Sequence, residues 1–149
     1  MSNPYHSAIL EHSRSPHRRG QLAHATHCGC GENALCGDSV SVQLRVEHGR
    51  IADYAFEAEA CAIVVATASM LGEALVGSAP STLDAIEADL RRLLGQTPPE
   101  PDEAVRGRLG DLADLAEMRG LPRRHRCVTL AMEAVRVALS AARPENLTR

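Results

Sequence analysis

A small set of thiol and carboxylate side chains carries the chemistry that this sequence can offer. The stretch ENALCGDSV places Cys36 and Asp38 two positions apart, where an alternating strand begins. Cys61 follows a second predicted strand, and Cys127 is predicted to start the last helix. Three thiolates and one carboxylate are a sufficient ligand set for a tetrahedral zinc ion or for the edge of an iron–sulfur cluster. The alternative is that each cysteine is a small buried apolar residue, and the spacing alone is a weak signal because no C-x-x-C motif is present.

The composition excludes several classes of function. The 149 residues are enough for one domain, 1–149, with a single core. A net charge of −3 and three aromatic residues do not fit nucleic-acid binding, and no apolar run is long enough to cross a membrane. The N-terminal stretch lacks the apolar middle of a signal peptide, so we expect a cytoplasmic protein. In that reducing compartment the cysteines indicate metal or thiol chemistry and not a disulfide framework.

Hydrophobic alternation gives the clearest structural signal. From Ser39 to Glu47 valine and leucine alternate with polar residues, which is typical of a half-buried strand. Gly49 suits a hairpin turn, and a second strand is predicted from Ile51 to about Ala58. Residues 13–35 are predicted to be loop or short strand. Helices are predicted at 4–12, 62–77, 81–95, weakly at 103–118, and at 127–143. Helices around a small antiparallel sheet make the fold class α+β.

A basic stretch precedes the last cysteine. LPRRHRC puts four cationic or titratable residues directly before Cys127. A helix N-terminus and nearby cations both lower the pKa of a thiol, and the cations call for an anionic partner such as a metal–thiolate centre. The alternative is a solvated basic loop.

Two further features have weaker interpretations. The tract of His24, His27, Cys28 and Cys30 can bind a second metal or supply a thiol that relays sulfur. We prefer the alternative, a flexible and exposed segment. For His12 we prefer a capping or packing role to a catalytic one.

Three separated segments resemble the IscU/SufU (NifU N-terminal) family of iron–sulfur cluster assembly proteins. The N-terminal segment YHSAILEHSRSPHRRG is similar to the family's first helix and turn. The central segment from CGDSV to EACAI is similar to its hairpin, and LPRRHRCVTLAMEAV to its third-cysteine helix. The resemblance implies an α+β fold in which a small antiparallel sheet packs with helices. It also implies that Cys36, Asp38, Cys61 and Cys127 converge as metal ligands.

The spacing of the cysteines resembles the SufU branch. Sixty-five residues separate Cys61 from Cys127, which implies a SufU-like helical insertion at about 78–121. Arg126 stands where the IscU scaffolds carry a histidine. The SufU resemblance implies zinc, and it implies a sulfurtransferase that accepts persulfide at Cys36 from a PLP-dependent, SufS-like cysteine desulfurase. The sulfur would pass to a downstream iron–sulfur scaffold or acceptor.

Two other functions remain open at this point. The protein can be a scaffold that assembles a transient [2Fe–2S] cluster on its three cysteines, with iron in place of zinc. It can also be a metal-binding adaptor that regulates a desulfurase without carrying sulfur. The chain departs from the family pattern at Ala58 and Ala60, where glycines are usual, and at Val64, where a serine is usual. These departures leave the ligands intact and indicate a diverged member.

Overall fold

A three-stranded antiparallel sheet lies at the centre of the protein. The computed structural model describes residues 7–95 and 102–140. The strands, hydrogen-bonded in chain order, are β1 (His27–Asn33), β2 (Asp38–Glu47) and β3 (Arg50–Glu59). The helices are α1 (Ser7–Arg14), α2 (Ala62–Leu75), α3 (Thr82–Leu93), α4 (Glu103–Leu109), a 3₁₀ segment (Gly110–Gly120) and α5 (Pro122–Ser140). The predicted α+β fold is confirmed.

The hairpin of β2 and β3 follows the predicted alternation. Val40 and Val42 are buried, while Ser41 between them is exposed. His48 and Gly49 connect the strands, and both have positive φ, at 55° and 75°. Two central residues with positive φ define the tight turn whose twist matches that of the flanking strands. The predicted hairpin turn at Gly49 is therefore confirmed.

The strand β1 settles an alternative that the sequence left open. Residues 27–33 form a strand that pairs along its whole length with β2. Gly29 and Gly31 face α5, and a Cβ on Gly29 would lie 2.3 Å from the carbonyl oxygen of Ala134. Only glycine permits this approach of strand backbone to helix backbone. The preferred interpretation of the His/Cys tract as a flexible segment is therefore wrong from His27 onward, because those residues lie in the sheet.

The helices cover one face of the sheet and enclose the core. The helix α2 is buried on nearly all sides, as its apolar sequence predicts, and Gly77, with φ of 90°, follows its end. The helix α5 contacts β1 and β2, while α2 contacts β3. The helix predicted at 81–95 begins at Thr82, and the side chain of Ser81 directly before it makes no capping hydrogen bond. The weak helical pattern at 103–118 corresponds to α4 and the 3₁₀ segment.

Some predictions fall outside the described residues. These are the first residues of the helix predicted at 4–12 and the last residues of the helix predicted at 127–143. Within the described ranges, none of the helices combines the length and the hydrophobicity that a bilayer-spanning helix needs.

We expect Gly29→Ala to lower the free energy of unfolding by at least about 2 kcal/mol, because the added methyl group meets the backbone of α5 and not a flexible side chain. Urea denaturation monitored by circular dichroism measures the change. Gly107→Ala is the matched control, since Gly107 lies in α4 with open space around its Cα. That control should gain up to about 1 kcal/mol from helix propensity. Equal stabilities for the two variants would contradict the proposed close packing.

Candidate metal centre

Three of the four predicted ligands meet at one end of the sheet. A carboxylate oxygen of Asp38 and the sulfurs of Cys61 and Cys127 all lie within 4.8 Å of one another. The two sulfurs are 3.6 Å apart. Asp38 and Cys61 are half-buried, and Cys127 is buried. The group is therefore held inside the fold on one side and reachable from solvent on the other.

A different element positions each of these side chains. Asp38 is the first residue of β2, and alternation puts it on the same face as Val40, toward the helices. Cys61 directly precedes α2, at the junction with β3 that the sequence predicted. Cys127 lies on α5, whose buried residues pack against the sheet. The site thus exists only when the sheet, α2 and α5 are packed together.

The position of Cys127 corrects a prediction. The helix α5 begins at Pro122, so Cys127 lies in its second turn and not at its N-terminus. The earlier start has a simple cause, since proline is favoured in the first turn of a helix, where its missing N–H is not needed. The basic stretch before Cys127 is therefore helical and not a loop.

The electrostatics of Cys127 also differ from the prediction. Burial, a hydrogen bond with Cys61 and the charge of Cys61 raise the pKa of the Cys127 thiol to about 11, although a contact with Arg124 works in the opposite direction. The thiol is therefore protonated at neutral pH, and a metal ion that binds this sulfur has to displace a proton. The predicted lowering of its pKa by the helix N-terminus is wrong.

Cys36 is the predicted ligand that the structure leaves outside the group. It lies in the turn between β1 and β2, where its thiol is exposed and accepts a hydrogen bond from the side-chain amide of Asn33 at 3.5 Å. Gly37, with φ of 76°, lets the chain turn into β2. The neighbouring Leu35 is 98% exposed. An accessible thiol on an exposed turn therefore lies two residues from Asp38.

The three gathered donors fit a zinc ion. Two sulfurs bound to zinc at 2.3 Å with a tetrahedral angle are about 3.8 Å apart, which is close to the 3.6 Å between Cys61 and Cys127. Two thiolates and one carboxylate are ordinary zinc donors, and they leave a fourth position for another ligand. Cys36 is the nearest thiol in sequence to Asp38, and its sulfur lies outside the three gathered donors.

The basic residues before Cys127 have separate partners. Arg126 donates a hydrogen bond to the backbone oxygen of Glu32 at 3.0 Å and pairs with Glu133. His125 lies 3.2 Å from the backbone oxygen of Met118. Arg126 therefore links α5 to β1 through a hydrogen bond, in addition to its ion pair with Glu133.

The sequence did not predict one buried polar network, which is centred on His12. His12 is buried, with Nδ1 at 2.6 Å from the Ser69 hydroxyl and Nε2 at 3.0 Å from Asp111. The backbone N–H of His17 donates to the same hydroxyl. The hydroxyl hydrogen is then left for His12 Nδ1, while Nε2–H donates to Asp111. Ser69 is wholly buried, so this His/Ser/Asp set joins α1, α2 and the 3₁₀ segment and agrees with the packing role preferred for His12.

Comparison with known proteins identifies relatives along nearly the whole chain. A family model described as the NifU-like N terminal domain matches residues 4–147. The iron–sulfur cluster assembly scaffold protein IscU of Streptococcus pyogenes serotype M1 is 30% identical, covering 99% of this chain and 91% of that protein. The zinc-dependent sulfurtransferase SufU of Bacillus subtilis (strain 168) is 28% identical, covering 88% and 86%. The crystal structure of a nitrogen-fixing NifU-like protein (N-terminal) from Brucella abortus matches with a TM-score of 0.80 and 29% identity, covering 95% and 94%.

We expect Asp38→Ala to weaken zinc binding by at least about tenfold. Loss of a hydrogen-bond partner of a metal ligand already lowers metal affinity by that factor, and Asp38 offers a donor atom to the metal itself. Competition with a chromophoric zinc chelator measures the affinity. Glu47→Ala removes an exposed carboxylate at the other end of β2 and should bind zinc as the unchanged protein does. Unaltered zinc affinity in Asp38→Ala would exclude Asp38 as a ligand.

Proposed function

We propose that this chain, which belongs to the NifU-like N-terminal domain family, acts in iron–sulfur cluster assembly as a zinc-binding sulfurtransferase. Cys36 takes persulfide sulfur from a PLP-dependent, SufS-like cysteine desulfurase and delivers it to a downstream iron–sulfur scaffold or acceptor. Asp38, Cys61 and Cys127 hold the zinc. The name of the Bacillus subtilis relative, a zinc-dependent sulfurtransferase, supports this function for the present chain.

The proposal rests on the different positions of the thiols in the structure. Cys61 and Cys127 are drawn together with Asp38, whereas Cys36 is exposed on a turn. A thiol that receives sulfur from another protein has to reach that protein's active site, and a thiol that only holds a metal does not. The exposed Leu35 beside Cys36 offers the partner an apolar contact at the same turn.

The transfer step needs only the Cys36 sulfur and the donor's persulfide. The Cys36 thiolate attacks the terminal sulfur of the desulfurase persulfide, and a new S–S bond forms. The S–S bond of the donor breaks, and its cysteine leaves as a thiolate. Cys36 then carries the sulfur as a persulfide, with no net oxidation or reduction.

The remaining site residues keep the turn in place. Zinc, when bound, keeps its thiolate ligands deprotonated and cross-links the elements that supply them. Asp38 begins β2 directly after the turn, so fixing Asp38 also fixes one end of the segment that carries Cys36. Gly37 between them has positive φ, a conformation that glycine adopts without strain and that turns the chain into β2.

A scaffold for a [2Fe–2S] cluster is a second candidate function. The relative from Streptococcus pyogenes, named a scaffold protein, aligns with 99% of this chain. The cluster would be the protein's cargo, held by Cys36, Cys61 and Cys127. Asp38 would replace a fourth thiolate, and a harder oxygen ligand favours release of the cluster.

We expect Cys36→Ser to abolish sulfur acceptance while zinc stays bound, because the three gathered donors remain. The measurement is the mass of the intact protein after incubation with a cysteine desulfurase and free cysteine, where acceptance adds one sulfur atom. Cys30→Ser is the matched control, since Cys30 is also an exposed thiol. Cys36→Ser that still gains sulfur would overturn the role of Cys36. If the unchanged protein stimulates the desulfurase without ever gaining sulfur, the adaptor function is the correct one.

We expect protein purified without oxygen to contain about one zinc ion and no acid-labile sulfide, because the three gathered protein donors form one zinc site with a fourth position left for another ligand. Elemental analysis and a sulfide assay on the same sample measure both quantities. Iron and sulfide in equal amounts would support the scaffold and contradict the zinc sulfurtransferase.

A further inference from the structure

The outer face of the sheet carries a second pair of thiols. Cys28 and Cys30 lie on β1 with one residue between them, and they pair with Gln43 and Ser41 on β2. Residues two apart on a strand point to the same face. Cys30 is exposed and Cys28 is half-buried. The two sulfurs therefore belong to the same solvent-facing surface.

The packing of β1 on α5 dictates this orientation. Gly29 and Gly31 occupy the inner face, where a Cβ on Gly31 would lie 2.8 Å from the carbonyl oxygen of Leu130. Cys28 and Cys30, which alternate with these glycines, therefore point outward. Asp38 pairs with Asn33 in the inner row, so the candidate metal centre lies on the opposite face of the sheet. Cys28 and Cys30 are thus a separate site, which the proposed sulfur transfer does not use.

Two hollows border the pair. One, of about 480 Å³, crosses the sheet and is lined by Cys30 together with Ser41, Glu57 and other polar residues. The other, of about 490 Å³, is lined by Cys28 and His24. Burial and the neighbouring Cys30 both raise the pKa of Cys28. Space for a ligand therefore exists on both sides of the pair.

We propose that Cys28 and Cys30 form a second metal site, which binds a soft monovalent cation of the Cu(I) type between their two sulfurs. Soft thiolates select Cu(I), which is stable with two such ligands, whereas zinc requires four. On binding, both thiols lose their protons to solvent, two metal–sulfur bonds form, and the complex carries one negative charge. The imidazole of His24, which lines the same hollow as Cys28, is available as a third ligand.

The geometry of a strand favours a bridging ion over a disulfide. Side chains two residues apart on a strand are separated by about 6.7 Å. A disulfide needs Cβ atoms about 3.5–4.5 Å apart, which β1 reaches only by distortion. An ion inserts two metal–sulfur bonds in place of one S–S bond of about 2.05 Å, so it spans a longer distance with less distortion of the strand.

An anaerobic titration with Cu(I) in competition with a chromophoric Cu(I) chelator tests the site. The protein is used as purified, after its zinc content has been measured. We expect it to bind one more equivalent of Cu(I) than either Cys28→Ser or Cys30→Ser. Any Cu(I) that enters the centre of Asp38, Cys61 and Cys127 is common to all three proteins and cancels in the difference.

The matched control is Ser41→Ala, which alters the same outer row of the sheet beside Cys30 without removing sulfur. It should bind as many equivalents as the unchanged protein. Thermal unfolding at the same midpoint shows that the serine variants are folded, as expected for outward-facing side chains. Equal Cu(I) stoichiometry in all variants would overturn the proposal. So would a protein whose mass is lower by two hydrogens and in which Cys28 and Cys30 resist alkylation, since that result means a disulfide.

Discussion

The contact between the backbone of β1 and the backbone of α5 is the constraint on which the rest of the structure depends. Gly29 and Gly31 allow a strand and a helix to approach more closely than any residue with a side chain permits. That approach places α5 against the sheet and brings Cys127 to Asp38. It also puts Cys28 and Cys30, which alternate with these glycines, on the outer face. A single packing feature therefore decides the location of four sulfur or carboxylate groups.

The sheet separates two kinds of thiol environment. On the inner face, Cys127 is buried beside Cys61, and its raised pKa keeps it inert until something displaces its proton. On the outer face and in the turn, Cys30 and Cys36 are exposed to solvent. A three-stranded sheet with helices on one side therefore holds Cys127 inside the fold and leaves Cys30 and Cys36 accessible to solvent.

The buried network around His12 secures the helical part of the fold. It connects α1 with α2 through Ser69 and reaches the 3₁₀ segment through Asp111. Tyr54 makes a comparable link, since its hydroxyl donates to the backbone oxygen of Ala68 at 2.7 Å. Hydrogen bonds of this kind satisfy polar groups that burial would otherwise leave without water, and they align elements that apolar packing alone would allow to slide. The residues 102–121 thereby belong to the same core as the sheet.

The sequence by itself determined the features that local patterns encode. The alternation from Ser39 to Glu47 predicted β2, Gly49 predicted the turn, and uniform apolarity predicted a buried α2. The donor types at Asp38, Cys61 and Cys127 likewise indicated metal chemistry before any contact was known. Only the tertiary structure decided that these three converge while Cys36 remains outside, that β1 is a strand, and that α5 begins at Pro122. The physical reason is the separation along the chain over which each signal acts. Alternation and turn chemistry act over a few residues. The 3.6 Å distance between the sulfurs of Cys61 and Cys127, which are 66 positions apart, depends on how a whole helix packs on a sheet.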